Sequence, residues 1–134
     1  MSSDENKQIM RDIMGALAQG DRRPFAEAMA DDFSWIIAGE SLWSGAFHGK
    51  DVVRQKLMVP LFAQFQGTYT NRAVRLIAEG DVVVVECRGR VTTTRGQPYH
   101  NSYCYVCELV DGKLKTLTEY MDTALAERVL QPIS

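Results

Sequence analysis

The sequence predicts an α+β domain in which three N-terminal helices pack on the concave face of a curved antiparallel sheet, followed by a short C-terminal helix. Apolar residues recur at helical spacing through most of the first half of the chain, up to about Phe65. After Gly67 the period becomes that of extended chain, and short turns rich in Gly, Asp and Pro separate four extended segments. The order α-α-β-α-β-β-β-β-α over 134 residues suits a single domain, residues 1–134, with no repeat, linker or low-complexity run.

The first helix carries Ile9, Met10, Ile13, Met14 and Leu17 on one stripe. Ser2 with Glu5 has capping-box spacing, and Gly20 offers a left-handed stop. Pro24 suits the first turn of a second helix through Met29, with Phe25, Ala28 and Met29 facing inward and Asp31-Asp32 ending it. Phe33 to Ala38 reads as a brief strand, and Gly39 to Gly49 as a loop carrying Trp43, Phe47 and His48. A third helix is expected from Asp51 to about Phe65, kinked or divided by Pro60. Strands follow over Thr68 to Ala78, Val82 to Thr94, Tyr99 to Val110 and Lys113 to Asp122, long enough that the sheet must twist and curve. Asp122 or Thr123 caps a last helix from Ala124 to Leu130.

A net charge of −2 gives no global attraction to nucleic acid or anionic lipid. No apolar run approaches the ~20 residues that span a bilayer, and the polar start lacks the apolar core of a secretion signal. A cytoplasmic protein is expected. Three cysteines, an odd number, fit a reducing compartment. Cys104 and Cys107 have Cys-x-x-Cys spacing, but within a strand they point to opposite faces, so buried apolar packing is the expected role. His48 and His100 stand singly, outside any metal-binding spacing, and neither a metal nor a cofactor is implied.

A strongly curved sheet covered by helices encloses a cone, a natural pocket for a small molecule. The segments Ala30-Asp-Asp-Phe-Ser-Trp35 and Trp43-Ser-Gly-Ala-Phe-His-Gly-Lys-Asp-Val-Val53 resemble the ketosteroid isomerase-like, SnoaL-like superfamily, whose cone fold is shared with nuclear transport factor two. His100-Asn-Ser-Tyr103, Asp111-Gly-Lys-Leu and Thr118-Glu-Tyr-Met-Asp122 extend the resemblance along the whole chain. The superfamily includes isomerases, polyketide cyclases, epoxide hydrolases, phenazine-biosynthesis proteins and non-catalytic binders. The resemblance implies a pocket carboxylate at Glu119, with Asn101 and Tyr103 on the preceding strand and Trp35 and Trp43 at the mouth. It also implies a homodimer. The aspartate base and helix-one tyrosine of ketosteroid isomerases proper are missing, since Ile36-Ile37-Ala38 is apolar throughout.

Leu117 and Met121 flank Glu119 on its strand face, so desolvation there would raise its pKa toward the range useful to a general acid or base. The alternative is an inward glutamate paired with an arginine. If the Asp111-Gly112 loop has only two residues, Glu119 faces Cys104; a glycine bulge in the loop puts it opposite Tyr103 and gathers Asn101, Tyr103 and Glu119 on one face, as the resemblance implies. Glu86, Arg88 and Arg90 share a face: on the concave side Arg88 would orient a substrate or balance Glu119, and on the outer side the three would form solvated ion pairs. His48 is a candidate proton shuttle and Phe47 part of the apolar wall.

The resulting expectation is a cofactor-independent isomerase, cyclase or lyase for a small apolar carbonyl compound. Glu119 would move the proton and Tyr103 and Asn101 would donate to the oxyanion. The alternatives are a non-catalytic ligand- or protein-binding module and an epoxide hydrolase-like activity. Tyr105, Val74 and Leu76 are candidates for an apolar interface patch on the outer face of the sheet.

Overall fold

In the computed structural model, which describes residues 1–132, six strands form one open, curved sheet in the order β2-β1-β6-β5-β4-β3. Helix α1 (Ser3–Ala18) begins on the expected capping box, with Ser2 Oγ accepting from Glu5 N–H and the Glu5 carboxylate accepting from Ser2 N–H. Its stripe of Met10, Ile13, Met14 and Leu17 is buried in the core. Helix α2 (Arg23–Ala28) starts with Pro24 in its first turn. Strand β1 (Met29–Ile37) begins earlier than the sequence indicated, because Asp31 and Asp32 are exposed residues of an irregular strand rather than a helix stop.

Two features of this half differ from expectation. Gly45–His48 is a short strand, β2, paired antiparallel with β1. The third helix, α3, occupies residues 50–62 in three windings: α-helical over Lys50–Val52, π-helical over Val53–Met58 and α-helical again over Val59–Phe62. Val59 N–H donates to Arg54 C=O, the wider turn of a π segment. Pro60 follows directly on this π segment, inside a helix that continues to Phe62.

Strands β3 (Phe65–Glu79), β4 (Val82–Thr93), β5 (Ser102–Val110) and β6 (Lys113–Met121) form an antiparallel meander. The sheet is mixed rather than wholly antiparallel, since β1 runs parallel to β6, with Trp35 beside Leu117 and Ile37 beside Glu119. Irregularities in the β1–β6, β3–β4 and β5–β6 ladders add the local twist and bend that turn the sheet into a cone. Helix α4 (Thr123–Val129) is capped by Asp122, whose carboxylate accepts from Leu125 N–H. No described helix is long and apolar enough to cross a membrane.

Alternation along β4, with Val83, Val85, Cys87 and Val91 buried and Arg88 and Arg90 exposed, assigns one sheet face to the core. Cys107 is buried beside Leu117, while Cys104 pairs with exposed Tyr120 on the other face, so the two sulfurs diverge as expected. Tyr105 does not belong to an outer patch: it is buried on the concave face, and Leu76 packs half-buried against the core. Val74 does stand exposed, displaced by the irregularity between Ala73 and Arg75.

Candidate functional site

Glu119 sits mid-strand in β6, between Ile37 of β1 and Tyr105 of β5. The turn that sets this register has two residues, Asp111 and Gly112, both at positive φ. Val110 pairs with Lys113, but Glu108 pairs with Thr116, so one extra residue is absorbed within β6 rather than in the loop. Glu119 therefore meets Tyr105, not Cys104 or Tyr103. An extra residue on either side of the turn has the same effect on parity, so Glu119 still shares the inner face with Tyr103.

The inner face and the helices enclose a cavity in which the centre of a water-sized sphere has about 60 Å³ to move. Leu17, Phe25, Leu57, Met58 and Leu61 supply its helical wall. Trp35, Trp43, Tyr69, Asn71, Tyr103 and Tyr105 line it from the strands and the β1–β2 loop, together with Glu119. Arg22, stacked 3.7 Å from the centre of the Phe62 ring, is exposed and marks the mouth.

Glu119 is only 6 % exposed, and among the described residues it has no cationic partner. Its one hydrogen bond comes from Trp35 Nε1–H, 3.1 Å from Oε1. Burial disfavours the charged form and raises the carboxyl from an ordinary 4.5 to about 7; the indole donor opposes this with a smaller effect. Trp35 is itself fixed by stacking on Phe25 (5.6 Å between centroids) and by edge contacts with Phe33 and Tyr105.

Tyrosines of β3 and β5 continue the wall beside Glu119. Asn71 Nδ2 donates to the hydroxyls of Tyr69 and Tyr105, each at 3.2 Å. Burial pushes the phenols of Tyr69, Tyr103 and Tyr105 above their ordinary value, so they stay protonated near neutrality. Gly89 of β4 makes this wall possible: a Cβ there would lie 2.9 Å from both the Tyr103 ring and the Tyr69 hydroxyl. Gly89→Ala is expected to cost about 1–3 kcal/mol by overpacking and to displace both rings, measurable as a lower urea midpoint with altered near-ultraviolet dichroism.

Of the residues singled out in the sequence, Glu119, Tyr103, Trp35 and Trp43 meet at the cavity. Asn101 is adjacent but fully engaged: its amide nitrogen donates to Tyr99 Oη (2.9 Å) and Asp122 C=O, and its oxygen accepts from the N–H groups of Ser102 and Asp122. It clamps β5 to the end of β6 and carries Tyr99 instead of facing a ligand. Arg88 does not reach the cavity; it is exposed on the outer face beside Arg72, its cross-strand partner, while Glu86 pairs with Arg75. Phe47 and His48 belong to β2, outside the cavity lining, and His48 Nδ1 is bonded to Ser34 Oγ at 2.9 Å. Among the described residues, no three His, Cys, Asp or Glu side chains gather as metal donors.

Sequence reasoning missed Tyr69, Asn71 and Arg22 as cavity residues. Tyr69-Thr70-Asn71 had a usable signal, a polar-aromatic pair two apart in a strand, the same pattern as Asn101-Ser102-Tyr103. Arg22 had none, because its stacking on Phe62 joins distant parts of the chain.

An α+β cone with helices over a concave face and a buried carboxylate inside is a pocket protein. Residues 10–116 match the SnoaL-like domain family, and the chain belongs to that family. No curated protein matches the chain at a significant level. Solved structures share the fold at low identity. An NTF2-like protein of unknown function from Burkholderia pseudomallei is 23% identical, with 98% of this chain and 99% of that one covered and a TM-score of 0.78. A candidate isomerase from Bacillus subtilis is 18% identical over 100% of both chains, with a TM-score of 0.78. A candidate SnoaL-like polyketide cyclase from Jannaschia sp. CCS1 is 17% identical, covering 97% of this chain and 95% of that one, with a TM-score of 0.75.

Proposed function

We propose that this protein is a cofactor-independent enzyme of the isomerase, cyclase or lyase type, acting on a small, largely apolar carbonyl compound. The observation that carries this reading is Glu119, a buried carboxyl with no cationic partner among the described residues, which holds its proton up to about pH 7 inside an apolar cavity. Near neutrality both protonation states are populated, as proton removal from one carbon and return to another requires. Tyr103, neutral and lining the same space, is the candidate donor to the oxygen on which charge develops. Asn101 contributes by fixing Tyr99 and the β6 terminus. The names of the isomerase and cyclase among the structural neighbours agree with this class.

The test is exchange of α-protons into deuterated buffer, followed by NMR for a set of small ketones and aldehydes. The wild-type protein is expected to accelerate exchange of at least one compound, and Glu119→Gln to lower that rate roughly 10²–10⁴-fold. A compound that binds in the cavity without any Glu119-dependent exchange would instead favour a non-catalytic binding module.

The reading extends to assembly and setting. We place a homodimer contact on the outer sheet face, where Val74, Ile77 and Tyr120 stand exposed; light scattering reads the oligomeric state directly. A cytoplasmic setting accords with three free thiols.

A further inference from the structure

Two residues that line the cavity each carry a buried polar atom with no hydrogen-bond partner among the described residues: Trp43 Nε1 and Asn71 Oδ1. Trp43 is 2 % exposed and Asn71 is 1 % exposed. Their chemistry is complementary, since an indole N–H can only donate and an amide oxygen can only accept. Leaving such a group unsatisfied costs about 1–3 kcal/mol, and native interiors rarely leave one unpaired. Asn71 spends its nitrogen on Tyr69 and Tyr105, and Glu119 takes the N–H of Trp35 rather than that of Trp43.

The two orphans come from elements at the two ends of the sheet order. Trp43 belongs to the loop joining β1 to β2 at one edge of the sheet; Asn71 belongs to β3 at the other. Glu119, on β6, lies between them in strand order. The remaining lining is mainly aromatic and aliphatic. A molecule that enters this space and satisfies both atoms needs an acceptor oxygen at one end, a hydroxyl at the other and an apolar body between.

We propose that the cavity takes a compact hydroxy-carbonyl compound of single-ring size, whose carbonyl oxygen accepts from Trp43 Nε1–H and whose hydroxyl donates to Asn71 Oδ1. This names the substrate class of the Glu119 cavity and rests on reading that cavity as the substrate site. Trp43 thereby becomes a second hydrogen-bond donor, in addition to Tyr103, at the reacting oxygen, beyond the apolar wall its side chain already supplies. The carbonyl held there is the group that would acidify the neighbouring carbon for Glu119.

The experiment compares four probes of one shape: 4-hydroxyacetophenone, acetophenone, 4-ethylphenol and ethylbenzene. Affinities are measured by calorimetry for wild type, Trp43→Phe and Asn71→Leu, with the indole Nε1–H signals of 15N-labelled protein followed alongside. 4-Hydroxyacetophenone is expected to bind the wild type at least tenfold tighter than either single-group probe, and ethylbenzene weakest. Trp43→Phe is expected to erase the advantage conferred by the carbonyl, and Asn71→Leu that conferred by the hydroxyl. Binding should move the Trp43 indole proton downfield and leave that of Trp35 in place. Trp43→Phe should fold with a modestly lower thermal stability, since the smaller ring leaves space at a 2 % exposed core position, although the donor it removes has no partner.

Equal affinities across the four probes, no binding by any of them, or an unmoved Trp43 signal would overturn the proposal. Exchange of the methyl protons of 4-hydroxyacetophenone separates the two readings. Trp43-dependent binding without Glu119-dependent exchange sinks the enzymatic reading and keeps the ligand class. Glu119-dependent exchange with Trp43-independent affinity does the reverse.

Discussion

Glu119→Gln is expected to make the protein more stable than wild type above pH 7 and to leave it about as stable near pH 4. The folded carboxyl keeps its proton up to about 7, against an ordinary value of 4.5. Below about pH 4.5 the group is neutral in folded and unfolded chains alike, and its burial carries no ionic cost. Between about 4.5 and 7 the unfolded chain releases its proton while the folded one retains it, so stability falls as pH rises. Above 7 both are ionised and the loss is complete, on the order of 3 kcal/mol at about 1.4 kcal/mol per pH unit. Glutamine keeps the side chain's shape and an oxygen for Trp35 Nε1–H without titrating. Urea denaturation of both proteins from pH 4 to 8 should therefore give a stability difference that opens over this interval. Parallel curves would mean that the Glu119 charge is compensated in the folded state, and the proton-transfer reading would go with them.

The features of this protein readable from sequence are those encoded within a few residues. The Ser2–Glu5 capping box, the apolar stripe of α1 and the Asp122 cap are each set by neighbours along the chain. The apolar setting of Glu119 was legible for the same reason, since Leu117 and Met121 share its face of β6. What was not legible depends on distant pairing. The parallel contact of β1 with β6 joins strands separated by most of the domain, and no local pattern marks it. The residue absorbed between Lys113 and Thr116 lies among Leu114 and Lys115, whose side chains carry no sign of an irregular ladder. Arg88 shows the same limit: period two placed it with Glu86 and Arg90, but only the assembled sheet decides which face is inside.

Phe33→Ala is expected to have the largest effect on stability of any substitution considered, a loss of about 3–5 kcal/mol. Phe33 is fully buried and among the largest of the wholly enclosed side chains, so truncation removes much apolar contact and leaves a void. Its place also links the core to the site. Phe33 meets the Trp35 ring edge-on, with centroids 6.1 Å apart, while Phe25 stacks on Trp35 from another side. These contacts hold the indole whose N–H reaches Glu119, and that hydrogen bond lowers the pKa of the carboxyl against the effect of burial. Loosening Trp35 should therefore shift the Glu119 titration above about 7, readable by carbon NMR of the carboxyl. Trp35→Phe provides the control, removing the donor while keeping an aromatic ring, and should raise the titration with a smaller stability loss. If Phe33→Ala destabilises the protein but leaves the Glu119 titration in place, the aromatic cluster packs the core without tuning the carboxyl. A shift in both variants would establish that residues of the β1 core set the pH at which Glu119 exchanges its proton.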